Sequence, residues 1–237
     1  GGFDPNDNAS LEVRNGAQIL IDSGAEETAP GLQIARGLDA IGRAVVEGPD
    51  TRIDLIQDGP LPLPTDFGPF LQVGRGGQGE LTIQDEATVL LRGPHPVVQS
   101  SRGNVDAGES VPEVLAQSVL TVRSGGTLEL QGRDVGGVFA VGQMENADGK
   151  LIVEDAGSTV VVDDEVGGQL LIGADFDFDA DEVRLDQGGQ GEVIVRDNGT
   201  LRVGVAEGDG VDDIIVAEGG TLRVESGGNI IGDVEVL

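Results

Sequence analysis

The sequence has no cysteine, no tryptophan and no tyrosine, and it carries a single lysine, Lys150, and a single histidine, His95. Without cysteine there are no disulfides and no thiolate metal sites, and one histidine cannot by itself make a zinc site. Without tryptophan or tyrosine, the aromatic platforms that carbohydrate-active sites place under sugar rings are largely missing. Basic residues are scarce: 14 Lys and Arg stand against 43 Asp and Glu, a formal charge of −29. Such a surface repels nucleic acid and anionic membranes, which excludes both as electrostatic partners. It also makes divalent cations natural counter-ions. No apolar run approaches the roughly 18–20 residues of a membrane span, so no membrane insertion is expected. The chain opens Gly1-Gly2-Phe3 without an initiator methionine or a signal peptide, and the expectation is a mature or excised segment of 237 residues forming one domain.

Glycine is abundant, with 40 residues, which argues for many turns and against a helical protein. The turns fall at intervals. Short β-branched runs recur as LEVRNGAQILID (11–22), VVEGPDTRIDLI (45–56), LTIQDEATVLLR (81–92), LTVRSGGTLELQ (120–131), LIVEDAGSTVVV (151–162), VIVRDNGTLRVG (193–204) and IIVAEGGTLRVE (214–225). Each reads as an alternating apolar run, three or four turn-forming residues, and a second alternating run, the pattern of strands with one buried face. The pairs Asn15-Gly16, Gly125-Gly126, Asn198-Gly199 and Gly219-Gly220 supply the positive φ that a tight corner needs. A third run follows each of the first five pairs: LQIARG (32–37), FLQVGRG (70–76), VVQSSRG (97–103), VFAVGQ (138–143) and QLLIGA (169–174).

Strand, corner, strand, link, strand, variable loop is the grammar of a solenoid, because only loops leave the stack and only they tolerate insertion. One coil has too little apolar area to offset its ordering entropy, so neighbours must bury its edges. The fold expected is all-β: a parallel β-helix, or β-solenoid, of about six to seven coils with variable loops on one side. The coils rise about 4.8 Å each. Val13, Ile83, Val122, Val153, Val195 and Val216 are expected to form one inward ladder. A Greek-key sandwich of similar strand count is the alternative. Protruding loops are expected at about 57–69, 104–118, 174–187 and 205–212. Residues 32–46 also carry Leu32, Ala35, Leu38, Ile41 and Val45 at helical spacing, in competition with the repeat register, and a helical turn could form around Val111–Gln117. The final NIIGDVEVL reads as strand without a polar cap, which suggests continuation of the solenoid or pairing with another molecule.

Several motifs carry possible chemistry. Gly74-Arg75-Gly76-Gly77-Gln78-Gly79 matches G-x-G-x-x-G, but a dinucleotide site needs a helix next, and the near copy Gly188-Gly189-Gln190-Gly191 marks a structural corner. Both strings lack the aspartate of the calcium-binding nonapeptide, with Leu81 and Val193 in its place. Asp175, Asp177, Asp179 and Asp181 alternate like the start of an EF-hand loop and are the metal candidates, for calcium, although Ala180 stands where that loop has an invariant glycine. The competing reading is a solvated acidic loop. Asp209, Asp212 and Asp213 lie in the next long loop and could face the first cluster, whereas Asp163-Asp164-Glu165 reads as plain surface. His95 sits between Pro94 and Pro96, and the flanking prolines predict an exposed loop. Arg36-Gly37, Arg75-Gly76 and Arg102-Gly103 end the third strand in three consecutive coils. Stacked, the arginines form either a row for carboxylate or sulfate or a simple charge balance. No cofactor other than calcium is indicated, and no nucleophile–base pairing can be read.

The segments Ser118–Leu130, Gly191–Val203 and Asp213–Val224, built on G-x-L-x-V-x-x-G-G-x-L-x-V, resemble passenger repeats of bacterial autotransporters and related large surface adhesins. That resemblance implies a secreted or cell-surface β-helix that projects or binds something, with no catalytic residues to carry over. The chain departs from it in its long acidic loops and its lack of Ser/Thr/Asn-rich faces. The function expected is therefore a structural or adhesive solenoid, a spacer, surface-layer or fibre segment, and not an enzyme. Its partners would be other copies, neighbouring repeats of a longer chain, or cell-surface glycans, with calcium bridging copies. The alternative is a carbohydrate-active β-helix enzyme or glycan-binding module.

Overall fold

The alternating runs build three walls. In the computed structural model, which describes residues 8–24, 29–36, 40–60, 68–102, 116–133, 136–162, 166–177, 182–185, 188–204 and 213–237, the described residues contain no helix and form three parallel sheets of seven strands. The coil Gln78–Gln84, Thr88–Gly93, Val97–Arg102 contributes one strand to each sheet, and every other coil does the same. Each strand hydrogen-bonds to its equivalents in the coils before and after it, all in parallel. This is a parallel β-solenoid of seven coils. The helical reading of 32–46 gives way to the strands Gly31–Ile34 and Ile41–Glu47. Residues 111–115 lie outside the described set, and Ala116 and Gln117 begin the strand Ala116–Val122.

The core is a set of inward columns. Val13, Val46, Ile83, Val122, Val153, Val195 and Val224 are register partners in the first sheet. The expected ladder thus holds except at its last rung, where Val224 stands and Val216 does not. Ile214–Val216 belongs to the third sheet, paired with Leu170–Ile172. The misassignment has a local cause: Ala217-Glu218-Gly219-Gly220 imitates the turn Arg123-Ser124-Gly125-Gly126, while an aliphatic triplet fits any of the three columns. The seventh coil is instead Gly220–Val224, Asn229–Ile231 and Val234–Val236.

The corner from first to second sheet uses two consecutive left-handed residues, as at Asn15-Gly16, Asp85-Glu86, Ser124-Gly125, Asp197-Asn198 and Ser226-Gly227. In two coils the pair lies one residue earlier than the sequence reading placed it, and Gly219 serves a different corner. Side chains tie these turns across coils: Thr51 Oγ1 accepts the Gly16 N–H at 2.9 Å, and Ser158 Oγ accepts the Gly125 N–H at 3.0 Å. At the end of the third strand a left-handed residue opens the corner from third to first sheet, at Ala35, Gly74, Ser101, Gly142 and Gly173, and Gly76, Met144 and Asn146 add further left-handed residues in two of these connections. Directly across from it, the first sheet carries a column of small residues, Ala9, Gly42, Gly79, Ser118, Gly149, Gly191 and Gly220. A Cβ on Gly149 or Gly191 would run into the backbone of that corner. The G-x-G-x-x-G string is explained by this geometry. Gly74 is the turn, Gly79 is the close approach, and the strand Gln78–Gln84 follows where a nucleotide site needs a helix.

Charges on the exposed face of the first sheet pair between coils. Arg43 Nε lies 2.9 Å from Glu80, and Lys150 Nζ lies 2.6 Å from Glu192, whose other oxygen is 3.3 Å from Arg223. The hydrogen bond from Lys150, above all, holds the Glu192 carboxyl below its ordinary value. A lowered folded-state pKa means the stabilisation is present above the unfolded value of 4.5 and is lost as pH falls through the folded one. Lys150→Gln is therefore expected to cost about 0.5 kcal/mol at neutral pH, as half-exposed pairs do. The cost should vanish at the acid end of a series of urea unfolding curves.

Candidate functional site

Insertions are not spread evenly around the coil. The corner between first and second sheets is short in every coil, whereas the long connections leave from the two corners that flank the third sheet: Ile56 to Phe70, Arg102 to Ala116, Ile172 to Gln190 and Val203 to Ile214. The third sheet is correspondingly different from the other two. In the strand Ala116–Val122 of the first sheet, buried and exposed residues alternate, but Val97–Ser101 and Val138–Gln143 are buried on both faces. An interior strand covered on both sides loses its period-two pattern.

Part of the cover is a two-stranded antiparallel hairpin, Asp175–Asp177 with Glu182–Arg184, inside the span expected to be a plain loop. Phe176 and Val183 pack on the outward residues Val138, Ala140, Leu171 and Ile215, forming a second, smaller apolar core. The hairpin's neck is closed by glycine on glycine, because a Cβ at Gly188 would overlap the carbonyl of Gly173. His95 lies against this core. It is 5% exposed, its ring meets Phe176 edge-on at 6.2 Å, and its carbonyl accepts the Gly68 N–H at 2.7 Å. The expectation of an exposed histidine is corrected: the flanking prolines shape a corner segment that the hairpin, some eighty residues downstream, covers.

Beside the apolar patch runs a polar row that the sequence reading missed. Gln33, Gln72 and Gln99 are register partners on the outer face. Each amide nitrogen donates to the next residue's oxygen: Gln33 to Gln72, Gln72 to Gln99 and Gln99 to Gln143, each at 2.5 Å, and Gln143 to Asp175 Oδ1 at 2.7 Å. An amide carries both donor and acceptor, so identical side chains stacked in register satisfy each other, and a carboxylate, which only accepts, is a natural terminus. The signal was in the sequence for the first three, which fall in one column once the third runs are aligned. Gln143 and Asp175 join from other columns.

Asp175, the first metal candidate, is 4% exposed, and its Oδ1 also accepts the Phe176 N–H at 2.9 Å. That oxygen is committed to the row. Asp177 pairs in the hairpin backbone with Glu182, and Asp179 and Asp181 lie outside the described residues, as do Asp209, Asp212 and Asp163-Asp164-Glu165. Asp213 is described and accepts the Asp233 N–H at 2.9 Å. Among the described residues, no group of three or more His, Asp or Glu side chains is arranged to hold a metal ion.

Of the three arginines, two are brought together. Arg75 and Arg102 are register partners, and Arg102 is in turn the partner of Gln143, whereas Arg36 lies beyond the last paired residue, Ile34, and is exposed. Arg102 is half-buried. Burial first, and then the like charge of Arg75, hold its guanidinium below the ordinary range, with Asp175 pulling the other way.

The class these features define is a seven-coil parallel β-solenoid with one decorated face. No protein-family model matches the chain, and neither a curated protein nor a solved structure shows significant similarity to it.

Proposed function

We propose that the chain is a structural and adhesive solenoid of the secreted or cell-surface kind, a spacer, surface-layer or fibre segment. Its third face would make the contacts, to other copies, to neighbouring repeats or to cell-surface glycans. The observation that carries this reading is the confinement of long insertions to the two corners bordering the third sheet, while the corner shared by the other two walls stays short in every coil. A scaffold that held its coil register and varied one face would look this way. The resemblance of its repeats to autotransporter passenger repeats supports the same reading.

The charge of −29 opposes contact between copies unless it is screened or bridged, and calcium on the acidic loops would supply the bridge. Negative-stain microscopy of the purified chain in millimolar calcium is expected to give ordered polymers or end-to-end rods that dissolve in a chelator. Single short rods in both conditions would remove calcium-bridged assembly from the proposal. The reading is non-catalytic, so acidic polysaccharides incubated with the chain are expected to keep their length.

A further inference from the structure

At the corner from second to third sheet, the first two coils carry polar side chains where the next two carry glycine. Asp22 and Ile56 are register partners, and Ser23 and Gln57 follow them. The Ser23 N–H donates to the Ile56 carbonyl at 3.2 Å and the Gln57 N–H to the Arg92 carbonyl at 2.9 Å, so the ladder runs on through this point. Gly93 and Gly132, themselves register partners, hold the same position in the third and fourth coils. Ser23 and Gln57 stand two residues past Ile21 and Leu55, which pack in the main core, and alternation turns them the same way. Gln57 is 1% exposed. Among the described residues, its amide nitrogen, its amide oxygen and the buried Ser23 hydroxyl have no hydrogen-bond partner. The two side chains are neighbours in the column, yet they do not bond each other. The corner is closed over them. The Gly59 N–H donates to the Gly24 carbonyl at 2.9 Å. Arg133 reaches back two coils to donate to the carbonyls of Asp58 at 2.7 Å and Gly59 at 3.1 Å. Pro69 and the Gln57 Cβ fill the space beside Gly93.

We propose that this corner is the binding site of an internal water, held between Ser23 and Gln57. A buried polar group left unmet costs its full desolvation, and three such atoms in one place call for a ligand. The inventory of donors and acceptors selects which one. The amide offers N–H donors and a carbonyl acceptor, and the hydroxyl is both. A metal cation satisfies only the oxygens, and an anion only the N–H and O–H groups. Water accepts from Gln57 Nε2 and donates to Gln57 Oε1 or Ser23 Oγ. Exchanging the amide's oxygen and nitrogen alters nothing, because both are unmet. A water of this kind makes about three hydrogen bonds and is costly to remove. The fold gives the place its reason: the long connection from Ile56 to Phe70 leaves the stack at Gln57, and the water bonds the polar side chains at the point of departure. Nothing in this depends on the contact-face reading above.

The test is a water-selective rotating-frame Overhauser spectrum of the isotope-labelled full chain, with the Gln57 side-chain amide assigned by through-bond transfer from its own backbone. A dipolar cross-peak between water and the Gln57 Nε2–H protons is expected, opposite in sign to a peak from proton exchange. It should persist in Ser23→Ala, where no hydroxyl is left to relay magnetisation from bulk water. Ser23→Gly, the residue that the third and fourth coils use, repeats the control if Ser23→Ala does not fold. In urea, Ser23→Ala and Gln57→Met are expected to be coupled through the shared water, the double variant's midpoint lying above the sum of the two single shifts. The proposal falls if the Gln57 amide shows no water contact in the wild-type chain, or only a peak with the sign of exchange. It falls equally if the contact is lost in Ser23→Ala or Ser23→Gly, since the hydroxyl then accounts for it. Additive shifts that raise the midpoint overturn it as well, because in a dry corner each substitution simply removes an unmet polar group.

Discussion

Gly191→Ala is expected to destabilise the solenoid by about 3 kcal/mol, at the upper end of what overpacking costs, and to lower the urea midpoint with little change in slope. The methyl group would meet the carbonyl oxygen of Val141, the amide of Gly173 and the side chain of Ile172. Two of these contacts are backbone in the third-to-first corner, and neither can move without breaking the ladder bonds on both sides. The same column allows an internal control in the opposite direction. Ser118 occupies it in the fourth coil, where its hydroxyl lies 2.8 Å from that of Ser100. Ser118→Gly, which removes a side chain from a site built for one, is expected to cost about 1 kcal/mol, the worth of a hydrogen bond. Equal and small effects at the two positions would mean that the column is not a line of close approach.

The second large effect is expected at Gln99→Leu, which breaks the amide row in the middle. The substitution leaves the Gln72 amide nitrogen and the Gln143 oxygen without their partner, in side chains that are 2% and 1% exposed. Each stranded buried group costs about 1–3 kcal/mol, so the change should cost about 2–4 kcal/mol. Its diagnostic feature is coupling. Gln72→Leu combined with Gln99→Leu should cost less than the two single changes together, because each change removes the group that the other strands, the Gln99 oxygen and the Gln72 nitrogen. Strict additivity in urea unfolding would show that the amides do not act as a chain.

The first and second sheets were legible in the sequence because each has one wet face. Runs such as Leu81-Thr82-Ile83 and Leu128-Glu129-Leu130 alternate for a physical reason, and the turns between them are local. The third sheet, buried on both faces from Val97 to Ser101, was legible as a run of apolar residues but gave no hint of what covers it. Part of the cover of this sheet comes from Phe176 and Val183, far along the chain, and no local pattern announces that His95 will meet Phe176. The last coil was misplaced for a similar reason. Which wall Ile214–Val216 joins is decided by pairing with Leu170–Ile172, whereas the turn after it imitates a different corner. The arginine column was half legible: spacing put Arg75 and Arg102 in one row, but it also put Arg36 there, beyond the point where the paired strand ends. For the metal candidates, alternation put Asp175 and Asp177 together in sequence. The strand geometry then turned the first inward to meet Gln143, a partner more than thirty residues away.

The amide row also divides the rod mechanically. It begins at Gln33 in the first coil and ends at Asp175, just after the third strand of the fifth, so five coils are cross-tied along the third wall. In the sixth and seventh coils, the outward positions equivalent to Ala140 and Leu171 are Ile215 and Glu235, and the tie does not continue. A load applied along the axis would therefore meet a stiff section of five turns in series with a softer section of two. The joint between them falls beside the hairpin, so the decorated face sits where strain would concentrate.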